Sequence, residues 1–280
     1  MDPFVFGVVL LAAAFHASWN ALIKFRLDPF LAIVLIAAAA GIVSLPALAF
    51  VPVPPLAAWP WLIMSVITHC GYYLGLSAAY RSGDMGQVYP IARGAAPLIT
   101  AIGTLLLIGE SIGTAGFLGV GALSFGVFLM SIRGGRLATF DRRAVGFALG
   151  SAVATASYSL VDGIGARVNG SGPSFALWMF VGNMLVMQAF ALAVKGPAIY
   201  RTLPATWPTV LAGGLMSMLA YFIVIWAMTQ APIALVAALR ETSVLFAGLI
   251  SLLILKEPFT RWRGAAAIII VAGVALLRLA

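Results

Sequence analysis

The chain has 280 residues, of which 63% are hydrophobic and only 9% charged, with a net charge of +8 and a mean hydropathy of +1.10. A soluble domain carries about a quarter charged residues, so that class is excluded; apolar runs of about 20 residues match a bilayer core of ~30 Å, and the short alternating segments of a β-barrel are missing. The basic residues lie mostly in short loops between apolar runs, which orients a membrane chain rather than marking a nucleic-acid partner.

Ten spans are expected, near 3–23, 29–51, 57–80, 86–109, 114–132, 143–164, 173–194, 206–229, 233–255 and 262–279. Span 1 has Asp2 where a signal peptide has a positive n-region, so it is read as retained. Its residues His16, Asn20 and Lys24 repeat every fourth position and share one helix face, with Trp19 beside them. Span 3 repeats that spacing with His69, Tyr73 and Ser77, and holds the single cysteine, Cys70, so no intramolecular disulfide and no cysteine metal site forms. Its Gly71-x-x-x-Gly75, like Gly146-x-x-x-Gly150 in span 6, reads as a small-residue packing face.

Span 4 places Tyr89, Arg93 and Pro97 on one face; Pro90 and Pro97 remove two backbone donors and are expected to interrupt the helix and leave carbonyls available to a ligand. Asp162 falls near the expected end of span 6, where interfacial water would solvate it. Trp178, Tyr221 and Trp226 are candidates for an aromatic cavity wall, although packing and interfacial belts use the same residue types. Span 9 carries Arg240 and Glu241, with Arg240 eight residues beyond Pro232, about 12 Å along a helix at ~1.5 Å per residue. An arginine there costs about 2.5–3.5 kcal/mol on insertion scales. Arg240 and Glu241 are neighbours that need not pair with each other on a regular helix, so either a structural lock between spans 4 and 9 or a binding role is open. The two histidines are not spaced as a metal site, and no metal or cofactor is expected.

Arg93 and Arg240 are 147 positions apart, and so are Glu110 and Glu257, the glutamates at the ends of the same spans. At that offset Leu105-Leu106 falls on Leu252-Leu253 and Gly126-Val127 on Gly273-Val274; at offset 139, Ser18-Trp19-Asn20 falls on Ser157-Tyr158-Ser159. Two five-helix units follow, residues 1–132 and 143–280, joined by a polar loop at 133–142. An odd number of spans inverts the second unit relative to the first. Loop charge agrees with inversion, since Lys24 and Arg26 correspond to Gly163 and Gly165, and Lys256, Arg261 and Arg263 to Gly109, Thr114 and Gly116. Twelve Lys and Arg residues fall in the loops of one side and only Arg167 and Arg278 on the other, which predicts both termini extracytoplasmic. The expected fold class is thus an all-α integral membrane protein of ten transmembrane helices in two inverted five-helix repeats.

Pro90 to Glu110 and Ala231 to Pro258, with the helix ends Leu105-Leu106-Leu107-Ile108-Gly109-Glu110 and Leu252-Leu253-Ile254-Leu255-Lys256-Glu257-Pro258, resemble the drug/metabolite transporter superfamily of EamA type, as does Trp19-Asn20. The run His16 to Lys24 is similar to a subgroup associated with phosphonate utilisation. The resemblance implies a secondary transporter, not an enzyme, in a bacterial-type inner membrane, moving a small metabolite such as an amino acid by alternating access. Such a protein would be an exporter coupled to protons, or a facilitator, and a monomer would suffice. The expected substrate-binding set is Arg93, Arg240, Glu241, Tyr89, Asn20, Trp19, His16, Tyr73, His69 and Tyr221, with Glu241 as proton carrier. The alternative is a non-transport membrane protein, an intramembrane enzyme or a receptor or assembly factor; HExxH, GxSxG, paired aspartates and a Walker motif are all missing from the sequence.

Overall fold

A computed structural model describes residues 1–24, 29–82, 85–130, 142–254, 256 and 260–280; within its helices, side chains at 23, 24, 29, 73–82, 85–90, 142–144 and 147 fall outside the description. The α-helices are α1 (Pro3–Lys24), α2 (Pro29–Ala47), α3 (Trp59–Ser82), α4 (Met85–Ile108), α5 (Gly113–Met130), α6 (Arg142–Asn169), α7 (Gly172–Lys195), α8 (Leu203–Gln230), α9 (Ile233–Arg240), α10 (Ser243–Leu253) and α11 (Arg261–Leu279). Eight spans among the described residues are long and apolar enough to cross a membrane, with α9 and α10 counted together as one. The other two, α3 with 24 residues and α6 with 28, also have membrane-crossing length.

Helix ends follow local chemistry. Asp2 Oδ1 accepts the Phe4 N–H at 2.8 Å before α1, and the Ser171 hydroxyl accepts the Ser174 N–H at 3.3 Å at the start of α7. Gly109, with φ +66°, ends α4 in a left-handed conformation that other residues rarely adopt. Residues 133–141 of the polar loop expected at 133–142, and Glu257 with Pro258, lie outside the described residues, and Arg142 opens α6.

Two expectations about helix continuity are corrected. The fourth helix is unbroken from Met85 to Ile108 despite Pro90 and Pro97, packed against α5, α6 and α9, although Pro97 has no N–H to give the Arg93 carbonyl. The break falls in span 9 at Glu241-Thr242, where no proline or glycine stands. There α9 ends at Arg240 and α10 begins at Ser243. Across the break the backbone tightens into short i→i−3 bonds, with Glu241 N–H on the Ala238 carbonyl at 3.0 Å and Thr242 N–H on Leu239 at 3.1 Å. The Thr242 hydroxyl also donates to the Leu239 carbonyl at 2.7 Å. Irregular backbone survives at this depth because protein surrounds it: every residue from Ile233 to Ser243 is buried.

Helices α1–α5 and α6–α11 interleave. α1 packs on α8 and on α9–α10, α3 on α6, α2 on α7 and α8, α3 on α7, α4 on α6 and α9, and α5 on α11. The largest core cluster lies where α1, α5, α8, α9 and α11 meet, around Val9, Leu123, Met228, Leu235 and Ile270. The α5–α11 contact is backbone on backbone. A Cβ on Gly273 would lie 2.8 Å from the Leu123 nitrogen and 2.9 Å from the Gly119 carbonyl oxygen, and one on Gly126 would lie 3.0 Å from the Ile270 nitrogen. The small-residue faces expected on α3 and α6 are corrected by the same measure. Gly71, Gly146 and Gly150 are exposed and face open space, because those helices pack through other faces.

Candidate functional site

Five helices and the span-9 break deliver polar side chains to the interior. His69 comes from α3, Arg93 from α4, Tyr158 and Asp162 from α6, Tyr221 from α8, Arg240 from α9 and Glu241 from the break; His16 of α1 borders them. Arg93, Arg240, His69 and Tyr158 are at most 7% exposed, and Glu241 and Asp162 are fully buried. Burying charge this deeply is costly unless each group is paired.

The first half of the cluster is an arginine–glutamate–arginine chain. Arg93 Nη1 donates to both oxygens of Glu241, at 3.2 and 3.1 Å, and joins α4 to the break in span 9. Arg240 Nη2 reaches Glu241 Oε1 at 3.4 Å. On a regular helix these neighbours would diverge; the turn at Glu241 swings the carboxylate between both guanidinium groups. Arg93 Nη2 donates to His16 Nε2 at 2.6 Å, and because a guanidinium only donates, the ring must accept at Nε2 and carry its proton on Nδ1.

The second half is carboxylate and aromatic. The Tyr221 hydroxyl donates to Asp162 Oδ2. His69 Nε2 lies 3.8 Å from the same oxygen, while its Nδ1 is 3.0 Å from the Ser65 carbonyl. Tyr158 stacks on His69 with centroids 4.5 Å apart. Arg240 joins the two halves, its guanidinium carbon lying 5.5 Å from the centre of the Tyr158 ring and 5.9 Å from that of Tyr221. Among the described residues Arg240 makes one long hydrogen bond, and its Nε has no partner. It is a buried cation with donor capacity to spare.

A separate polar knot closes the end of the bundle that carries the N-terminus. Arg167 donates from Nε to the Met228 carbonyl at 2.8 Å and from Nη2 to the Ala231 carbonyl at 3.0 Å, at the C-terminus of α8. Glu110 pairs with Arg167 at 2.9 Å and accepts the Ile233 N–H at 2.8 Å, at the N-terminus of α9. Each charge stands at the helix end whose dipole it complements.

Of the residues singled out from sequence, Arg93, Arg240, Glu241, His16, His69 and Tyr221 come together. Trp19 packs edge-on against His16 at 5.4 Å, at the margin of the cluster. Asn20 does not join; it is exposed and returns its amide to the His16 carbonyl at 2.7 Å. Tyr73 and Tyr89, like Lys24 and Ser77, have side chains outside the described residues. Trp178 pairs with Trp59 and Trp226 with Phe4, and each shares a packed core cluster with Tyr221. Asp162 and Tyr158 are members that sequence reasoning placed elsewhere. Asp162 was expected at the interface, but α6 continues to Asn169 and carries it into the interior. Tyr158 was read only as the repeat partner of Trp19, and that correspondence was the available signal.

Residues 142–279 match the model of the EamA-like transporter family. A solved crystal structure of a protein, 18% identical, superposes with a TM-score of 0.78 over 99% of this chain and 96% of that one, a likeness that establishes the fold. No curated protein matches the chain in sequence. Membrane-length helices together with this domain make the chain a multi-pass membrane protein.

Proposed function

From an EamA-like transporter family domain that fills residues 142–279, consistent with the drug/metabolite transporter superfamily, we propose that the chain is a secondary transporter of a small polar metabolite. It works by alternating access about the buried cluster, as a proton-coupled exporter or a facilitator, from a bacterial-type inner membrane with both termini outside. One copy encloses the site. The fold is ten membrane spans in two inverted five-helix repeats. Helix packing supports this: exchanging the halves turns α1–α8 into α6–α3, α4–α6 into α9–α1 and α2–α8 into α7–α3, and each of these is a contact of the bundle.

The observation that carries the proposal is the ion chain Arg93–Glu241–Arg240, buried where the fourth span of one half meets the ninth of the other. Intramembrane charges facing a bundle interior mark solute pathways. Arg240 is the anion ligand in this reading, since its spare donors suit a carboxylate or phosphonate group. Glu241 is the common counter-ion of both arginines, and Arg93 ties it to α4. His16, Trp19, Tyr158 and Tyr221 border the solute.

Flux into proteoliposomes tests the proposal, using radiolabelled amino acids, methylphosphonate and tetraethylammonium, with and without a pH gradient. A carboxylate or phosphonate should move, and Arg240→Met should lower its flux at least tenfold while the protein remains monodisperse. Transport of tetraethylammonium alone, or undiminished anion flux in Arg240→Met, would remove Arg240 as the ligand. A chain that moves none of these solutes counts against the transport reading itself.

A further inference from the structure

Three features lie outside the solute contacts assigned above: the Glu110–Arg167 knot, the cavity of about 520 Å³ beside Arg167, and the Asp162–His69 pair at the centre of the Asp162 cluster. The knot is fully accounted for as paired helix ends, and the other polar side chains lining the cavity, Ser171, Thr229 and Gln230, are taken up by local hydrogen bonds. The Asp162 cluster has no such account.

The hydrogen bonds at His69 set up the inference. The Ser65 carbonyl can only accept, so His69 must carry a proton on Nδ1 to make its 3.0 Å contact. Its Nε2 then faces Asp162 Oδ2 at 3.8 Å. A neutral ring presents a lone pair there, opposite a carboxylate oxygen that also offers only lone pairs. The two groups become complementary when one further proton lies on either of them. The other groups facing Asp162 are Tyr221 from α8, which donates its hydroxyl; Arg240 from α9, beyond the aromatic rings; and Tyr158 and Ser65 nearby, from α6 and α3. Arg240 makes no hydrogen bond to Asp162. By contrast, Glu241 sits in direct ion pairs with two arginines, and a proton there would leave both guanidinium groups buried without their carboxylate.

We propose that Asp162 and His69 together form the proton-carrying site of this transporter, and that Glu241 does not. The inference rests on the transport reading for its role, but its geometry stands independently. With Asp162 ionised and both histidines neutral, the formal charges of Arg93, Arg240, Glu241 and Asp162 sum to zero. One proton taken up by the Asp162–His69 pair leaves the cluster at +1, which an anionic solute on Arg240 neutralises. Proton and anion therefore occupy the site together and cross in the same direction, so this pair assigns proton–anion co-transport rather than the exporter arm of the reading above. The Tyr221 hydroxyl, donating to the same carboxylate oxygen, positions the pair.

Proton uptake by the purified full-length protein tests this without any solute, as the protons bound per chain between about pH 8 and about pH 5. Wild type and Glu241→Gln should bind equal numbers, and Asp162→Asn about one fewer. Equal uptake by Asp162→Asn and wild type overturns the assignment, as does loss of the proton in Glu241→Gln. If Asp162→Asn does not fold, Tyr221→Phe should keep the number of protons and move the midpoint of their uptake; an unmoved midpoint counts against the pair. In proteoliposomes, Asp162→Asn should retain solute counterflow and lose accumulation driven by a pH gradient. Accumulation that survives in the variant overturns the proton role while leaving the transport reading intact. Absence of flux in wild type overturns the transport reading while leaving the measured proton site intact.

Discussion

Glu241 serves two cations at once, and this sets the energetics of the interior. Breaking a buried ion pair by removing one partner costs about 3–5 kcal/mol, because the other charge stays desolvated and alone. Arg93→Met leaves the carboxylate one arginine, whereas Glu241→Gln strands two. Both variants should lose stability, Glu241→Gln by about 3–5 kcal/mol or more and Arg93→Met by less. Unfolding of the purified protein in mixed micelles measures the order; equal losses would mean that Arg240 does not depend on Glu241. Arg93, Arg240 and Glu241 were legible in the sequence because charge within an apolar run has few places to go. Asp162 was not. Its environment depended on where α6 ends, and the helix runs to Asn169 rather than 164, a difference of about 7.5 Å at ~1.5 Å per residue. That is enough to take a carboxylate from wet interface to dry interior.

Among the elements, α9–α10 and α5–α11 show opposite solutions to crowding. In the former, the polar run Arg240-Glu241-Thr242-Ser243 breaks a helix without proline or glycine, because side chains and short backbone bonds take over the lost ladder. Proline content suggested a break in α4 instead; local chemistry misled there because packing overrides it. In α5–α11, glycine lets two backbones touch. Gly273→Val places its side chain against the Leu123 nitrogen, 2.8 Å from the Cβ position, and backbone cannot yield. Overpacking of this kind costs about 1–3 kcal/mol, and the thermal midpoint of the variant should fall accordingly. Gly146→Ala, set in open space, should be neutral or stabilising by up to about 1 kcal/mol through helix propensity. A Gly273→Val protein as stable as wild type would mean that the two helices are not in contact in the membrane. Spacing alone cannot distinguish these glycines, since it does not say which helix face meets a partner.

At the scale of the molecule, the proposed five-plus-five organisation rests on matched charges and inverted loop bias, and the exchangeable packing of the helices agrees with it. What the offset could not reveal is where symmetry fails. Gly94 corresponds to Glu241, and a Cβ on it would lie 3.0 Å from the Ser124 carbonyl oxygen, so α4 lies close against α5 where span 9 instead breaks and inserts a carboxylate. The site is thus built on the difference between the halves. Motion of the halves can be followed with spin-label pairs in a Cys70→Ser background. Labels at the exposed positions Leu118 and Ile268 report α5–α11, and those at Ile63 and Leu149 report α3–α6. The first distance should stay constant on acidification and the second should broaden or split. A shift in the first pair equal to that in the second would refute a fixed seam.

The glycine contact between α5 and α11 has a mechanical consequence. Helices that meet through interlocking side chains can slide by exchanging one set of rotamers for another, but backbones that touch at Gly119 and Gly273 have nothing to exchange. Such a seam resists shear and still permits rotation about its own line, as a fulcrum does. In the alternating-access reading proposed above, leverage would then grow with distance from it, and α2 and α7, which pack on one another and on α8 and α3, would travel furthest.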